Sequence, residues 1–344
     1  MRSLVARVWF GRGPAARLAR AALWPAELVY RAASAVRNGL YDCGMLAVIP
    51  AAIPAISVGN LTVGGTGKTP VTAWLVAELS RRGARPAVVL RGYGADEPLV
   101  HERLNPGVPV VCDADRAAGL RRARAEGATV AVLDDAFQHR RIGRVADLVL
   151  VAAERGLQAR RLLPAGPYRE PVGALGRASL VVVTRKTASL EQAAAVMAQA
   201  AKISDAPGAV VSLAPASLER VNGGASLPLD ALRGRRVVLV TGVGEPGFLA
   251  DQLRALGAEV ELHAFPDHHA FTDADLAGAS AAAAEGDLAL CTLKDAVKIS
   301  SRWPGRVPLW YVSQRLSIEL GMEHMEEVLE ATLARLRSNP PTAG

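Results

Sequence analysis

The glycine-rich segment at residues 59–70 constrains the fold of this 344-residue chain more than any other feature. Ile56, Ser57 and Val58 form an apolar run typical of a short buried strand, and an apolar helical pattern begins after Pro70. A strand, a glycine-rich turn that ends in Lys-Thr, and a helix are the order that a Walker A phosphate loop requires. The segment therefore predicts an α/β fold with a phosphate site at the end of this strand.

The residue types of the loop explain how it would bind phosphate. The residues concerned are Thr62, Val63, Gly64, Gly65, Thr66, Gly67, Lys68 and Thr69. Glycines let backbone N–H groups turn onto phosphate oxygens, the lysine reaches the β- and γ-phosphates, and the threonine hydroxyl binds Mg²⁺. Thr62 stands where the strict pattern has glycine, so the loop is closer to the form found in MinD- and ParA-type ATPases. The alternative is a glycine-rich turn with an incidental lysine.

Composition and charge narrow the class of protein. Half of the residues are apolar but only 4% are aromatic, which excludes a disordered chain and fits aliphatic helices packed on a parallel sheet. Cys43, Cys112 and Cys291 are too far apart in sequence to indicate a zinc site or a disulfide framework. Residues 1–40 hold seven arginines and one acid, so most of the net charge of +7 lies there and the rest is nearly neutral. We therefore expect no nucleic-acid partner.

The N-terminal segment, residues 1–45, has an amphipathic helical pattern. Arginines interrupt its apolar residues every three to five positions, which excludes both a signal peptide and a membrane-spanning helix. Trp9, Trp24 and Tyr30 are of the types that favour a membrane interface. We expect residues 1–40 to lie on an anionic membrane surface. The alternative is a solvated helix that packs on the domain through its apolar stripe.

A pair of acids ends a second apolar run. Val130–Leu133 is followed by Asp134 and Asp135, and an acid at the end of a strand beside a phosphate-loop strand can hold Mg²⁺. Gln138 follows closely. Many strands end in an aspartate that merely caps the next helix, so the pair indicates a metal site only together with the phosphate loop.

A second glycine motif allows a different function. The strand pattern Arg236–Thr241 leads into a Gly-x-Gly-x-x-Gly sequence at residues 242–247, and Glu261 follows about twenty residues after its start. These features match a dinucleotide-binding fingerprint and would suit an oxidoreductase. Pro246 lies inside the motif, however, and favours a simple turn that opens a second domain.

Several segments spread over most of the chain share one resemblance. They are residues 57–70, 91–94, 96–98, 134–140, 163–171, 241–246, 265–269 and 292–298. Together they resemble the tetraacyldisaccharide 4′-kinases, the lipid A pathway kinases often called LpxK. Ala95, Ala136 and Leu293 depart from the usual residues of that family.

The resemblance implies two α/β/α sandwich domains, a P-loop NTPase-like first domain with a mostly parallel sheet and a smaller second one, with the active site in the cleft between them. It also implies that ATP and Mg²⁺ are used to phosphorylate the 4′-hydroxyl of a tetraacyldisaccharide 1-phosphate, giving lipid IVA. The enzyme would be peripheral to the cytoplasmic face of the bacterial inner membrane, and we expect a monomer. The alternatives are a MinD- or ParA-like membrane-associated ATPase switch and the dinucleotide-dependent oxidoreductase.

Residue roles follow from the resemblance position by position. Residues 62–69 would bind the nucleotide, with Lys68 also catalytic, and the metal would be held by Thr69, Asp134, Asp135, Gln138 and Glu170. Asp96 would accept the proton of the acceptor hydroxyl, His268 would orient it, and Arg169 would stabilise charge on the transferred group.

Some of these residues also have simpler structural explanations. Asp96 could cap the turn at Pro98, and Lys294 and Lys298 could be merely solvated. The histidine pair at 268–269 could be a surface pair or part of a metal cluster.

Alternating strand and helix patterns set the expected domains. Residues 46–215 form the kinase domain, 216–234 a linker, and 235–337 the second domain, with a C-terminal return to the first. The final amphipathic helix is expected at Ile318–Leu336, and residues 338–344 as a disordered tail.

Overall fold

The computed structural model describes residues 4–92, 94, 96–157, 161–267, 269–284 and 286–338. The chain divides into two compact units. The first comprises Met1–Gly92, Leu104–Val211 and Ile318–Gly344, and the second comprises Tyr93–Arg103 and Ser212–Ser317.

Strands and helices alternate along most of the chain. The strands are β1 (Ala55–Asn60), β2 (Pro86–Leu90), β3 (Val110–Cys112), β4 (Val130–Asp134), β5 (Ala146–Ala152), β6 (Leu180–Arg185), β7 (Gly208–Arg220), β8 (Ser226–Leu227), β9 (Arg236–Thr241), β10 (Glu259–Ala264), β11 (Leu288–Thr292) and β12 (Leu309–Leu320). The helices are α1 (Leu4–Phe10), α2 (Pro14–Asp42), α3 (Lys68–Arg81), α4 (Asp96–Leu104), α5 (Arg116–Ala125), α6 (Leu190–Ala200), α7 (Pro246–Ala255), α8 (Asp273–Ala281), α9 (Leu293–Ile299) and α10 (Met322–Ser338). Short 3-10 turns occupy Val172–Arg177, Leu229–Leu232 and Ser300–Arg302.

A parallel sheet forms the centre of the first unit, as the sequence predicts. Its strands run in the order β6-β5-β1-β4-β2-β3, and each neighbouring pair is parallel. The strands are almost entirely buried because helices cover them; for example, Leu120 of α5 belongs to one apolar cluster with Val89 and Leu133. Val58 of β1 lies in register with Asp134 of β4. The loop after β1 and the acids after β4 therefore emerge at the same edge of the sheet.

The second unit repeats this architecture on a smaller scale. Strands β10, β9, β11 and β12 are parallel neighbours in that order. Val238 and Val240 pack in one apolar cluster, whereas Val237 and Leu239 pack in another. Because side chains alternate between the two faces of a strand, both faces of this sheet are covered. The predicted α/β class with two sandwich domains is confirmed.

Some boundaries differ from the expected ones. Residues 216–234 include the end of β7, the short strand β8, which pairs antiparallel with β7, and a 3-10 turn. Strand β12 continues to Leu320, so α10 begins at Met322 rather than at Ile318. Ile318 and Leu320 alternate with a polar residue, a spacing that suits a strand end as well as a helical turn. The expected tail lies almost wholly outside the described residues.

Candidate active site

The phosphate-loop segment connects β1 to α3 in the first unit. Gly67, the residue before α3, has a φ of 83°, a left-handed conformation that favours glycine. Gly64 and Gly65 are exposed, whereas Thr66 is buried. Lys68 and Thr69 form the first turn of α3, so the loop ends at a helix N-terminus, where backbone N–H groups favour anions.

Three side chains from the ends of β1 and β6 hold the loop in shape. Asn60 Nδ2 donates to Thr66 Oγ1 at 2.8 Å, and Thr184 Oγ1 donates to the Thr66 carbonyl at 2.9 Å. Lys186 Nζ donates to the Gly65 carbonyl at 2.9 Å. Sequence reasoning did not assign these residues a role. Asn60 had a detectable signal, its place directly before the loop, whereas Thr184 and Lys186 are distant in sequence.

Lys68 and Arg169 converge on Asp135. Lys68 Nζ lies 3.5 Å from Asp135 Oδ1, and Arg169 donates to both carboxylate oxygens at 2.7 and 2.9 Å. Burial alone would raise the pKa of Asp135, but the positive charges of Lys68 and Arg169 outweigh it and hold the pKa below its usual value. The structure thus brings together three residues that the sequence assigned to the site.

Asp135 also has an unusual backbone. Its φ is 51°, in the left-handed region that aspartate tolerates better than most residues. Such conformations cluster at functional sites, where the surrounding structure holds them. Asp134, the last residue of β4, is 7% exposed and lies beside β1.

Glu170 and Gln138 lie in the same unit. Glu170 is 2% exposed, and its Oε2 accepts hydrogen bonds from Asn38 at 2.7 Å and Arg177 at 2.8 Å. Its Oε1 is buried and has no hydrogen-bond partner among the described residues. Gln138 donates to the Asn60 carbonyl at 2.9 Å and accepts from Arg169 at 3.4 Å.

These residues fit a magnesium ion that is bound together with a nucleotide. In the described part of the chain, no three His, Cys, Asp or Glu side chains converge closely enough to hold a metal by themselves. Mg²⁺ in nucleotide sites, however, uses one or two carboxylates together with phosphate oxygens and water. Oxygen atoms of the required kind are present here. They belong to the Thr69 hydroxyl, to Asp134 and Asp135 at the end of β4, and to Oε1 of Glu170, which has no hydrogen-bond partner among the described residues.

In the second unit, Asp96 lies between two lysines of α9. It is the first residue of α4 and is 5% exposed. Lys294 Nζ and Lys298 Nζ each lie 3.9 Å from Asp96 Oδ2, and Lys294 also lies 3.5 Å from Asp267. The two lysines are therefore not merely solvated, and their spacing of four residues on a helix was the available signal.

Of the two histidines in the 265–269 segment, the structure describes only His269. His268 lies outside the described residues. His269 stacks on Phe265, and its Nε2 lies 2.9 Å from Asp275 Oδ2. His269 is thus accounted for by a contact with α8.

The second glycine motif is filled by the protein's own side chains. Asp295 is fully buried and accepts hydrogen bonds from the Gly242 N–H at 3.1 Å and from Thr241 Oγ1 at 2.8 Å. A Cβ at Gly242 would lie 3.2 Å from His269 Cβ, so the turn leaves little room. Glu261, the expected ribose ligand, pairs instead with Arg236 and His263. The geometry therefore favours a packed turn over a dinucleotide site.

Helix α2 contacts this site through polar groups. Glu27 is buried and accepts from the Leu162 N–H at 2.9 Å, and Tyr30 donates to the Arg169 carbonyl at 2.9 Å. The apolar side chains Leu18, Trp24, Leu28, Val29 and Val36 are exposed. The alternative of a helix packed on the domain through its apolar stripe is therefore not favoured for these residues. Among the helices of the described residues, none is long and apolar enough to cross a membrane.

Comparison with known proteins gives a consistent result. The sequence model of a family described as tetraacyldisaccharide-1-P 4′-kinase (LpxK) matches residues 19–98 and 95–334. A tetraacyldisaccharide 4′-kinase of Anaeromyxobacter sp. strain Fw109-5 is 40% identical, with 97% of each chain covered. One of Azoarcus sp. strain BH72 is 37% identical, with 97% of this chain and 96% of the relative covered.

The fold comparison agrees with the sequence comparisons. A crystal structure of LpxK from Aquifex aeolicus in complex with ATP matches with a TM-score of 0.72 and 27% sequence identity. The match covers 91% of this chain and 99% of that structure. The similarity therefore extends over both units.

Proposed function

The chain belongs to the tetraacyldisaccharide-1-P 4′-kinase family, and from this premise we propose which of its residues carry out the reaction and where it works. It is a kinase that transfers the γ-phosphoryl group of ATP, with Mg²⁺, to the 4′-hydroxyl of a tetraacyldisaccharide 1-phosphate, a lipid A precursor, giving lipid IVA. The ATPase switch and the oxidoreductase are not favoured, because the family match covers nearly the whole chain.

On the donor side, the loop residues 62–69 bind the triphosphate. Lys68 leaves Asp135 and turns to the β- and γ-phosphates. Its ion pair with Asp135, at 3.5 Å, is weak enough for the phosphates to displace the carboxylate. Arg169, which lies against the same carboxylate, stabilises negative charge on the transferred group. The convergence of Lys68 and Arg169 on Asp135 beside the loop is the observation that carries this assignment.

The magnesium ligands are the Thr69 hydroxyl, the two aspartates 134 and 135, and Glu170, with Gln138 beside them. Mg²⁺, when bound, neutralises phosphate charge and orients the γ-phosphoryl group. The protein's own part is to hold these oxygen atoms at the edge of the sheet next to the loop.

On the acceptor side, Asp96 takes the proton of the sugar hydroxyl as the oxygen–phosphorus bond forms and ADP leaves. Lys294 and Lys298 attract its carboxylate and hold it in place. His268 orients the same carboxylate in this proposal. Residues 46–215 serve as the kinase domain, 216–234 as the linker and 235–337 as the second domain.

The N-terminal helices place the enzyme on the cytoplasmic face of the inner membrane, where it works as a monomer. Leu18 and Val29 are each 71% exposed and Trp24 is 53% exposed. Several large apolar side chains exposed together on one helix indicate an interaction surface. Val29, Val36, Leu40 and Leu46 line a shallow apolar groove on the same face. Exposed arginines such as Arg12 and Arg17 lie nearby in sequence and suit anionic headgroups.

The reaction is tested with purified protein, ATP, Mg²⁺ and a tetraacyldisaccharide 1-phosphate in detergent micelles. We expect Lys68→Ala and Asp96→Ala to abolish lipid phosphorylation while circular dichroism shows that the fold is retained. Arg233→Ala, at an 80% exposed side chain, is the matched control and retains activity. Full product formation by either site variant removes that residue from the mechanism.

Membrane binding is tested by sedimentation with anionic vesicles. Replacement of Leu18 and Val29 by serine should weaken binding at every salt concentration, because it removes apolar area. Replacement of Arg12 and Arg17 by glutamine should weaken binding mainly at low salt, because headgroup attraction is screened. Leu190→Ser, at an exposed leucine of α6, is the control. Unchanged sedimentation of both double variants contradicts the membrane assignment.

A further inference from the structure

Helix α2 has two faces with different chemistry, and only the outer one is explained by a membrane. Its outer face carries the exposed apolar residues, whereas its inner face contacts the active-site segment with polar groups. An amphipathic helix that only anchors an enzyme needs no bond to a metal-binding carboxylate. The inner face therefore requires a separate explanation.

The inner face contacts three residues of the proposed site, Gln138, Arg169 and Glu170. Asn38 Nδ2 donates to Glu170 Oε2 at 2.7 Å. Tyr30 Oη donates to the Arg169 carbonyl at 2.9 Å, and Arg37 donates to the Gln138 carbonyl at 2.7 Å. Tyr30 precedes Arg37 and Asn38 by about two turns, so the three side chains lie on one side of the helix.

The contact at Glu170 leaves one of its oxygens available for a cation. Asn38 and Arg177 both bind Oε2, whereas Oε1 is buried and has no hydrogen-bond partner among the described residues. A carboxylate that is 2% exposed cannot rely on water to satisfy that oxygen. The two donors therefore fix the rotation of the carboxyl group and direct Oε1 rather than Oε2 toward a further positive partner.

We propose that α2 is a positioning element of the active site, in which Asn38 orients Glu170 as a magnesium ligand while Tyr30 and Arg37 hold the backbone at Arg169 and Gln138. The inference rests on the proposed function, because it takes Glu170 to be a metal ligand. Groups that orient a metal ligand typically change metal affinity about 10- to 100-fold when removed. The surface that binds lipid and the residues that bind the metal are then joined by one rigid helix.

The test measures metal binding directly, without turnover. Mn²⁺ replaces Mg²⁺, and its binding to the full chain in detergent with a non-hydrolysable ATP analogue is followed by electron paramagnetic resonance. We expect Asn38→Ala to weaken Mn²⁺ binding about 10-fold or more. Alanine is the best helix former, so this variant keeps α2 intact. Tyr30→Phe, which removes one hydroxyl group, should lower kcat severalfold and leave KM for ATP unchanged.

Matched variants separate positioning from anchoring. Val29→Ser lies on the outer face of the same helix and should weaken vesicle binding without changing Mn²⁺ affinity. Glu170→Gln tests the ligand itself and should weaken Mn²⁺ binding at least as much as Asn38→Ala.

The outcomes distinguish the two levels of the argument. If Glu170→Gln weakens Mn²⁺ binding and Asn38→Ala does not, the positioning role is overturned and the metal site stands. If neither variant changes the affinity, Glu170 is not a metal ligand and both the assignment and the inference fail. If Val29→Ser lowers the affinity as much as Asn38→Ala, α2 acts only as a whole and the specific contact is refuted.

Discussion

The buried carboxylate of Glu27 allows a quantitative prediction about how α2 is held on the first unit. Glu27 is 3% exposed and accepts from the Leu162 N–H at 2.9 Å, from Arg31 at 3.0 Å and from Arg161 at 3.3 Å. In Glu27→Gln, the neutral amide still accepts from Leu162 but loses the charge, which costs about 1 kcal/mol. Arg161 is partly exposed, so its lost ion pair costs about 0.5 kcal/mol, whereas Arg31 lies on α2 itself and does not hold the helix on the unit. We therefore expect α2 to be held about 1.5 kcal/mol less tightly.

Hydrogen exchange of the α2 amides measures this loss. A cost of about 1.5 kcal/mol corresponds to about 10-fold faster exchange wherever α2 exchanges by detaching from the first unit. Ala26→Ser, at an exposed neighbour on the same helix, is the control and should leave the rate nearly unchanged. Wild-type exchange in Glu27→Gln would refute the reasoning, and equal acceleration throughout the first unit would show that Glu27 supports the fold and not the docking of α2.

The same contact has a defined pH dependence. Burial raises the pKa of Glu27, but the hydrogen bonds from Leu162, Arg31 and Arg161 outweigh it, and the pKa is lowered from its ordinary 4.5. Because the folded state favours the ionised form, this stabilisation is present above pH 4.5 and disappears as the pH falls through the lowered value. The difference in exchange between wild type and Glu27→Gln should shrink accordingly in acid.

Three further predictions concern other buried and partly buried groups. Lys298→Met should lower kcat about 10-fold with little change in KM for ATP, and Lys298→Arg should restore part of it; an unchanged kcat would show that the lysine does not act on Asp96. Burial and nearby arginines lower the pKa of His139 to about 4, so NMR should show a neutral ring above about pH 5. The unfolded chain takes up this proton first, so the free energy of unfolding should fall as the pH drops below 6.5. Asp295→Asn should destabilise the second unit by about 3 kcal/mol in denaturant unfolding, since Lys298 keeps only the more distant Asp96 and the Gly242 turn loses its charged acceptor; a loss below about 1 kcal/mol would contradict that role.

The sequence alone determined the parallel strands, the phosphate loop and the acids beside it. These features are local: a strand period, a glycine turn and a Lys-Thr pair are each contained within a few residues. The strands predicted near residues 56 and 130 both appear in the first sheet. Rules for parallel sheets then place the loop after β1 and the acids after β4 at one edge, as the structure confirms.

Only the tertiary structure decided which polar groups meet. Asn38 and Glu170 are 132 residues apart, and nothing in the arginine-rich pattern of α2 indicates that its polar face would turn inward. The apolar periodicity of a helix shows that it has two faces but not which face packs on the rest of the protein, because different partners can cover apolar surface. For α2, the inner face is decided by the buried carboxylate of Glu27 and by the carbonyl and carboxylate groups that α2 contacts. Such pairings form only when the whole unit has folded.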